Sequence, residues 1–165
     1  MEQPLWAPWR MEFIRSEKPK GCIFCDFPAA PEAEDRKNLI VHRSPHAFVI
    51  LNRFPYNSGH LMVVPRLHGA DLDALPPEAW AGLQALLRET AAVLRTTYRP
   101  EGINLGMNLG RAGGAGIVDH LHWHLVPRWI GDNNFMPVLA DTRVMVEHLD
   151  TTWEKVRAGF AARPG

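Results

Sequence analysis

Apolar and polar residues alternate most strictly over residues 119–128, Asp-His-Leu-His-Trp-His-Leu-Val-Pro-Arg. His120, His122 and His124 take turns there with Leu121, Trp123 and Leu125. A period of two belongs to a β-strand, whose successive side chains point to opposite faces. The pattern predicts a strand with three imidazoles on one face and buried leucine and tryptophan on the other. Short apolar runs between turn residues predict further strands at residues 38–42, 47–51, 60–64 and 103–109, the first three as an antiparallel meander.

A longer period follows Pro76-Pro77. Trp80, Leu83, Leu87 and Leu94 form one stripe of a helix that Arg99-Pro100-Glu101-Gly102 ends, and this stripe is core. Val146, Leu149, Trp153, Val156 and Phe160 predict a second amphipathic helix within residues 143–162, capping its own domain. Residues 28–37, rich in Pro, Ala and acid, predict an exposed loop. Trp6 and Trp9 mark residues 1–20 as an arm that packs on the body or on a partner subunit. No repeat or linker divides the chain, so one domain is expected: an arm (1–20), a core (21–130) and a C-terminal extension (131–165).

At 165 residues the chain is long enough to bury a sizeable core. Lys+Arg and Asp+Glu balance at 18 each, which argues against a general attraction to nucleic acid or to an anionic membrane. No apolar run approaches the roughly 20 residues of a membrane span, and no export signal is seen at the N-terminus, so the cytoplasm is expected. In that reducing compartment Cys22 and Cys25, in Cys22-Ile23-Phe24-Cys25, suit a metal or redox role better than a structural disulfide. A zinc site needs two more ligands, which histidines can supply.

The stretch Gly110-Arg111-Ala112-Gly113-Gly114-Ala115-Gly116 leads into the histidine strand. Its glycines, Gly114 and Gly116 among them, allow backbone N–H groups to converge on an anion. A phosphate held there lies within reach of the imidazoles. Neutral imidazole is a competent nucleophile at phosphorus, a second imidazole can serve the leaving oxygen, and loop amides can stabilise the developing charge. The constellation reads as nucleotidyl or phosphoryl transfer.

His120-Leu121-His122-Trp123-His124-Leu125-Val126 resembles the signature of the histidine triad superfamily. The likeness runs over about residues 21–130, through the Cys-x-x-Cys segment, Leu51-Asn52-Arg53, Gly59-His60-Leu61-Met62-Val63-Val64-Pro65 and the glycine loop. The flanks resemble the bacterial diadenosine tetraphosphate phosphorylase-like branch. The resemblance implies an α+β fold with a five-stranded antiparallel sheet, one long helix and a C-terminal helix, paired as a homodimer. It implies cleavage at the α-phosphate of an adenine nucleotide or dinucleoside polyphosphate. By motif position His122 is the nucleophile, and His124 contacts the phosphate or the leaving group. Asn52 binds ribose, Ile23, Phe24 and Phe27 wall the base pocket, and Asn108 faces the phosphates. Structural zinc would be held by Cys22, Cys25, His68 and His120, which otherwise orients the triad. His60 reads as structural or as a support for the triad, and His42, His46 and His148 as surface or loop residues.

Many hydrolases of the family carry Gln or Ser just before the triad, where this chain has Ala115-Gly116-Ile117-Val118. That departure favours orthophosphate over water as second acceptor. A hydrolase of dinucleoside polyphosphates or nucleoside phosphoramidates is the enzymatic alternative. A nucleotide-binding regulatory module and a purely structural zinc protein are the alternatives of other classes, and the intact triad argues against both.

Overall fold

The computed structural model describes residues 21–132 and 147–163, and the expectations for the tryptophan arm and for Val146 lie outside them. Five strands, β1 (Ile40–Arg43), β2 (Ala47–Leu51), β3 (Leu61–Pro65), β4 (Gly102–Met107) and β5 (Trp123–Arg128), form one antiparallel sheet in the order β1-β2-β3-β5-β4. The helices are α1 (Ile23–Ala29), α2 (Asp35–Asn38), α3 (Pro77–Tyr98) and α4 (Leu149–Ala161). This is the expected α+β architecture.

Every residue of β2 and β3 is buried, which explains why these strands read as unbroken apolar runs and not as alternations: both faces of the sheet are covered. On one face Val41, Val49, Leu51, Leu61, Val63 and Leu125 pack with Leu83, Leu87, Val93 and Leu94 of α3 and with Val156 and Phe160 of α4. Trp80 joins this cluster at its edge, so the whole predicted helical stripe is core. On the other face Ile40, Phe48, Ile50, Met62 and Val64 enclose Phe24 of α1. No helix among the described residues is long and apolar enough to cross a membrane.

Some expectations fail for identifiable reasons. Residues 28–37 are exposed over most of their length, as expected, but are not a loop: α1 runs to Ala29, and a 3-10 turn at Glu32–Glu34 leads into α2. Arg43 of β1 organises this region, donating to the carbonyls of Pro28 and Ala30 at 2.7 and 3.1 Å and pairing with buried Asp35 at 2.6 Å. A composition rich in Pro and acid gives no hint of a cation arriving from a strand. The histidine strand also starts late, at Trp123, since the ladder with β3 ends at the Val63–Trp123 pair. Beyond it Leu121 donates instead to the Gly69 carbonyl at 2.8 Å, and the Pro65 carbonyl bonds a side chain, that of His120.

His46 and His148 are exposed as expected. His42 is not a surface residue; it lies in β1, half-buried, stacked on Phe160 with ring centroids 4.4 Å apart.

Candidate active site and metal-ligand cluster

His120 and His122 occupy the segment that leads into β5, and His124 lies within β5. The His122 and His124 rings are 5.0 Å apart. His122 Nδ1 sits 2.9 Å from the His120 carbonyl oxygen. That oxygen only accepts, so Nδ1 carries the hydrogen and Nε2 keeps its lone pair. Burial lowers the His122 pKa, opposed by that same bond, and the ring is neutral near pH 7.

His124 is set by a chain of bonds starting in the main chain. The Tyr56 N–H donates to His60 Nδ1 at 3.0 Å, so the His60 proton resides on Nε2. His60 Nε2 then donates to His124 Nδ1 at 2.9 Å, leaving an N–H on His124 Nε2. Burial first, and the neighbouring imidazoles second, lower His60 to about 3 and His124 to about 4. Near neutrality the site therefore offers one bare imidazole nitrogen, on His122, beside one imidazole N–H, on His124.

His120 faces another way. Its Nε2–H donates to the Pro65 carbonyl at 2.8 Å, which leaves Nδ1 bare. Nδ1 lies 3.3 Å from Cys22 Sγ, 3.5 Å from Cys25 Sγ and 3.3 Å from His68 Nδ1. Cys25 Sγ is 3.4 Å from His68 Nδ1, and all four ligand atoms fall within 4.8 Å of one another. Bonds of about 2.3 Å to sulfur and 2.0–2.1 Å to nitrogen give a tetrahedron with edges of about 3.3–3.8 Å. The four separations among His120, His68 and the two cysteines given above, 3.3–3.5 Å, match those edges, and the carbonyl bond fixes the tautomer that a ligand needs. The three histidines keep to one side of the chain, with Leu121, Trp123 and Leu125 in the core on the other as the alternation predicts, and His120 turns its Nδ1 into this cluster.

Phe24, fully buried, touches both neighbourhoods, with its ring 5.5 Å from His120 and 5.1 Å from His122. Ile23, Phe27 and Ile117 pack against the same apolar cluster. Asn52 follows β2 directly and is half-buried, its Oδ1 accepting from the Phe54 N–H at 2.9 Å. The register pairs Gly106 with His124 and Met107 with Trp123, which brings Asn108, the next residue, level with His122. Asn108 Nδ2 donates to the Gly114 carbonyl at 3.3 Å and so anchors the glycine loop. Gly114 has φ +89°, a left-handed value that favours glycine, while a Cβ at exposed Gly116 would meet nothing within 4 Å.

Tyr56, in the turn between β2 and β3, also reaches the site, its ring 4.6 Å from that of His60 and 5.9 Å from that of His124. Arg43 and Asp35 hold α1 in place. A lone aromatic in a Pro/Gly turn and an ordinary acid–base pair carry no signal until the fold brings them to the site.

Comparison with known proteins agrees with this geometry. The HIT domain pattern matches residues 33–129. A Mycobacterium tuberculosis protein named AP-4-A phosphorylase is 34% identical over 168 residues, covering 98% of this chain and 86% of its own length. A HIT-like protein of Saccharolobus solfataricus is 30% identical over 132 residues, covering 78% of this chain and 91% of its own. Among solved structures, a zinc-bound histidine triad family protein from Mycobacterium smegmatis superposes with a TM-score of 0.66 at 29% identity, covering 85% of this chain and 93% of that one. The chain belongs to the HIT family, and it is an enzyme of that superfamily's nucleotidyltransferase and hydrolase class.

Proposed function

We propose that the protein is a diadenosine tetraphosphate phosphorylase that transfers adenylate through His122 to orthophosphate. The observation that carries this reading is the tautomer of His122: its Nδ1–H is engaged by the His120 carbonyl, leaving Nε2 nucleophilic. In the first step Nε2 attacks the α-phosphorus, a P–N bond forms, and the bond to the bridging oxygen breaks to release ATP. The His120 carbonyl stabilises the positive charge that the imidazole acquires. His124 donates a hydrogen bond to the departing oxygen without surrendering its proton, which suffices because a polyphosphate is a weakly basic leaving group. In the second step an orthophosphate oxygen attacks the same phosphorus, the P–N bond breaks, and ADP leaves with His122 restored to neutrality.

Asn52 would hold the ribose, Ile23 and Phe27 the base with fully buried Phe24 packed behind them, and Asn108 with Gly114 and Gly116 the phosphates. The run Ala115-Gly116-Ile117-Val118 offers no polar side chain to hold a water, which favours phosphate as acceptor. The 34% identity to the Mycobacterium tuberculosis enzyme supports the same substrate. Cys22, Cys25, His68 and His120 would hold zinc. With four protein ligands and no open position, such an ion ties α1 to the histidine segment and takes no part in the chemistry. A homodimer is the expected assembly, and the outer edge of the sheet at β4, with Leu105 49% exposed, is the surface we assign to it.

Product analysis on diadenosine tetraphosphate tests the reading, with His122→Ala as control. ATP plus ADP formed only with orthophosphate establishes phosphorolysis. ATP plus AMP regardless of phosphate makes the enzyme a hydrolase. Absence of turnover and of an adenylylated histidine leaves the regulatory nucleotide-binding module.

A further inference from the structure

The aromatic rings of the site form a file. Phe24 contacts His122 at 5.1 Å, His122 contacts His124 at 5.0 Å, and Tyr56 stacks on His124 at 5.9 Å with an interplanar angle of 28°. Phe24 is fully buried at one end, whereas Tyr56 at the other is 50% exposed.

Displacement at phosphorus is in line, so the leaving oxygen departs on the side opposite His122 Nε2. With the transferred nucleoside on the Phe24 side of His122, the departing polyphosphate passes His124 and continues toward Tyr56. The tyrosine is held where it is needed. Its N–H is bonded to His60, and the next residue, Asn57, donates to the Pro127 carbonyl at 3.2 Å and to Asp132 Oδ2 at 3.0 Å. Arg128 grips the same Asp132 at 2.6 Å. A turn fastened at three points presents its aromatic ring with little entropy left to lose, as a stacking platform requires.

We propose that Tyr56 is the stacking platform for the base of the leaving nucleotide and so selects dinucleoside polyphosphates over mononucleotides. This rests on the reading of His122 as the adenylyl acceptor.

The test compares diadenosine tetraphosphate with adenosine 5′-tetraphosphate. Both present the same adenylyl group to His122, but the second releases inorganic triphosphate and has no second base. Base–aromatic stacking predicts that Tyr56→Ala lowers the ratio of the two kcat/KM values, dinucleotide over mononucleotide, about tenfold. Tyr56→Phe, which keeps the ring, retains the wild-type ratio. Circular dichroism and thermal melting confirm that both variants are folded. An unchanged ratio in Tyr56→Ala overturns the proposal: both rates falling together means that the ring supports His124 or the transferred nucleotide, and neither falling means that it binds nothing. Wild-type enzyme that adenylylates His122 from neither substrate overturns the enzymatic reading as well, a result distinct from an unchanged ratio.

Discussion

His120 and His122 are joined through the main chain of one and the side chain of the other: the His120 carbonyl accepts the His122 Nδ1 hydrogen at 2.9 Å. The His120 ring meanwhile points into the cysteine cluster, 3.3 Å from Cys22 Sγ. One residue thus ties the metal-ligand cluster to the orientation of the nucleophile.

His122→Gly should lower adenylyl transfer by at least about a thousandfold, since losing a nucleophile removes the covalent route itself. Quenched reactions of the wild type analysed by peptide mass spectrometry should carry one AMP on the His122 peptide. An adduct on His124 or His120 would reassign the nucleophile.

His60→Leu should cost 10–100-fold in kcat with little change in KM, the usual price of removing an orienting partner. His124 Nδ1 then lacks its donor, and the ring is free to take the other tautomer. His60→Gln keeps an N–H donor and should recover most of the rate. Equal losses in the two variants would show that packing, not tautomer control, is what His60 supplies.

Turnover should stay level above about pH 6.5 and fall at lower pH, as His122, whose pKa burial holds below 6.5, takes a proton on its attacking nitrogen, and fall further as pH approaches 4, where His124 takes up a proton. A protonated Nδ1 cannot accept from His60, so the pair comes apart. Stability has the same sign. Unfolded His60 has a pKa near 6.5 and folded His60 about 3, so the unfolded chain binds the extra proton between these values. Its contribution is complete above 6.5 and is lost by about 1.4 kcal/mol per pH unit as pH falls toward 3. Urea unfolding at pH 7 and pH 5 should show this drop, and His60→Leu should make it shallower, with the lowered His124 and His122 supplying what remains.

Cys25→Ser should reduce bound zinc below one ion per chain by elemental analysis and lower the melting temperature. Because His120 would lose its anchor, kcat should fall too, although Cys25 touches no substrate in the proposed mechanism. Unchanged kcat in a zinc-free variant would uncouple the cluster from the triad.

Arg43→Leu should destabilise the protein by about 3–5 kcal/mol, because Asp35, with 4% of its side chain exposed, is left as a charge with its main partner gone. Arg43→Leu with Asp35→Leu should cost less than the single change. Denaturant titration of both variants decides.

The sheet was legible because β2 and β3 are buried on both faces and read as apolar runs, and the long helix because Leu83, Leu87 and Leu94 repeat with helical spacing. The triad and its four metal-ligand candidates were legible through motif position. What the pattern hid depends on contacts distant in sequence. Nothing in the alternation of residues 119–125 shows that His120 leaves the ladder, because that turn of the chain is set by Pro65 and Gly69. Nor does a Pro/Ala-rich stretch announce that Arg43 will order it. The role of His60 needed the Tyr56 N–H as well as the histidine itself.

Phe24 also constrains how this site can change over evolution. Because one ring touches both His120 and His122, enlarging or shrinking it to suit another base would disturb the cysteine cluster and the nucleophile together. New base preferences should therefore be explored at Ile23 and Phe27, which are only partly buried at the edge of the Phe24 cluster. Lineages sharing this architecture should diverge at those two flanks while the residue between Ile23 and Cys25 stays aromatic.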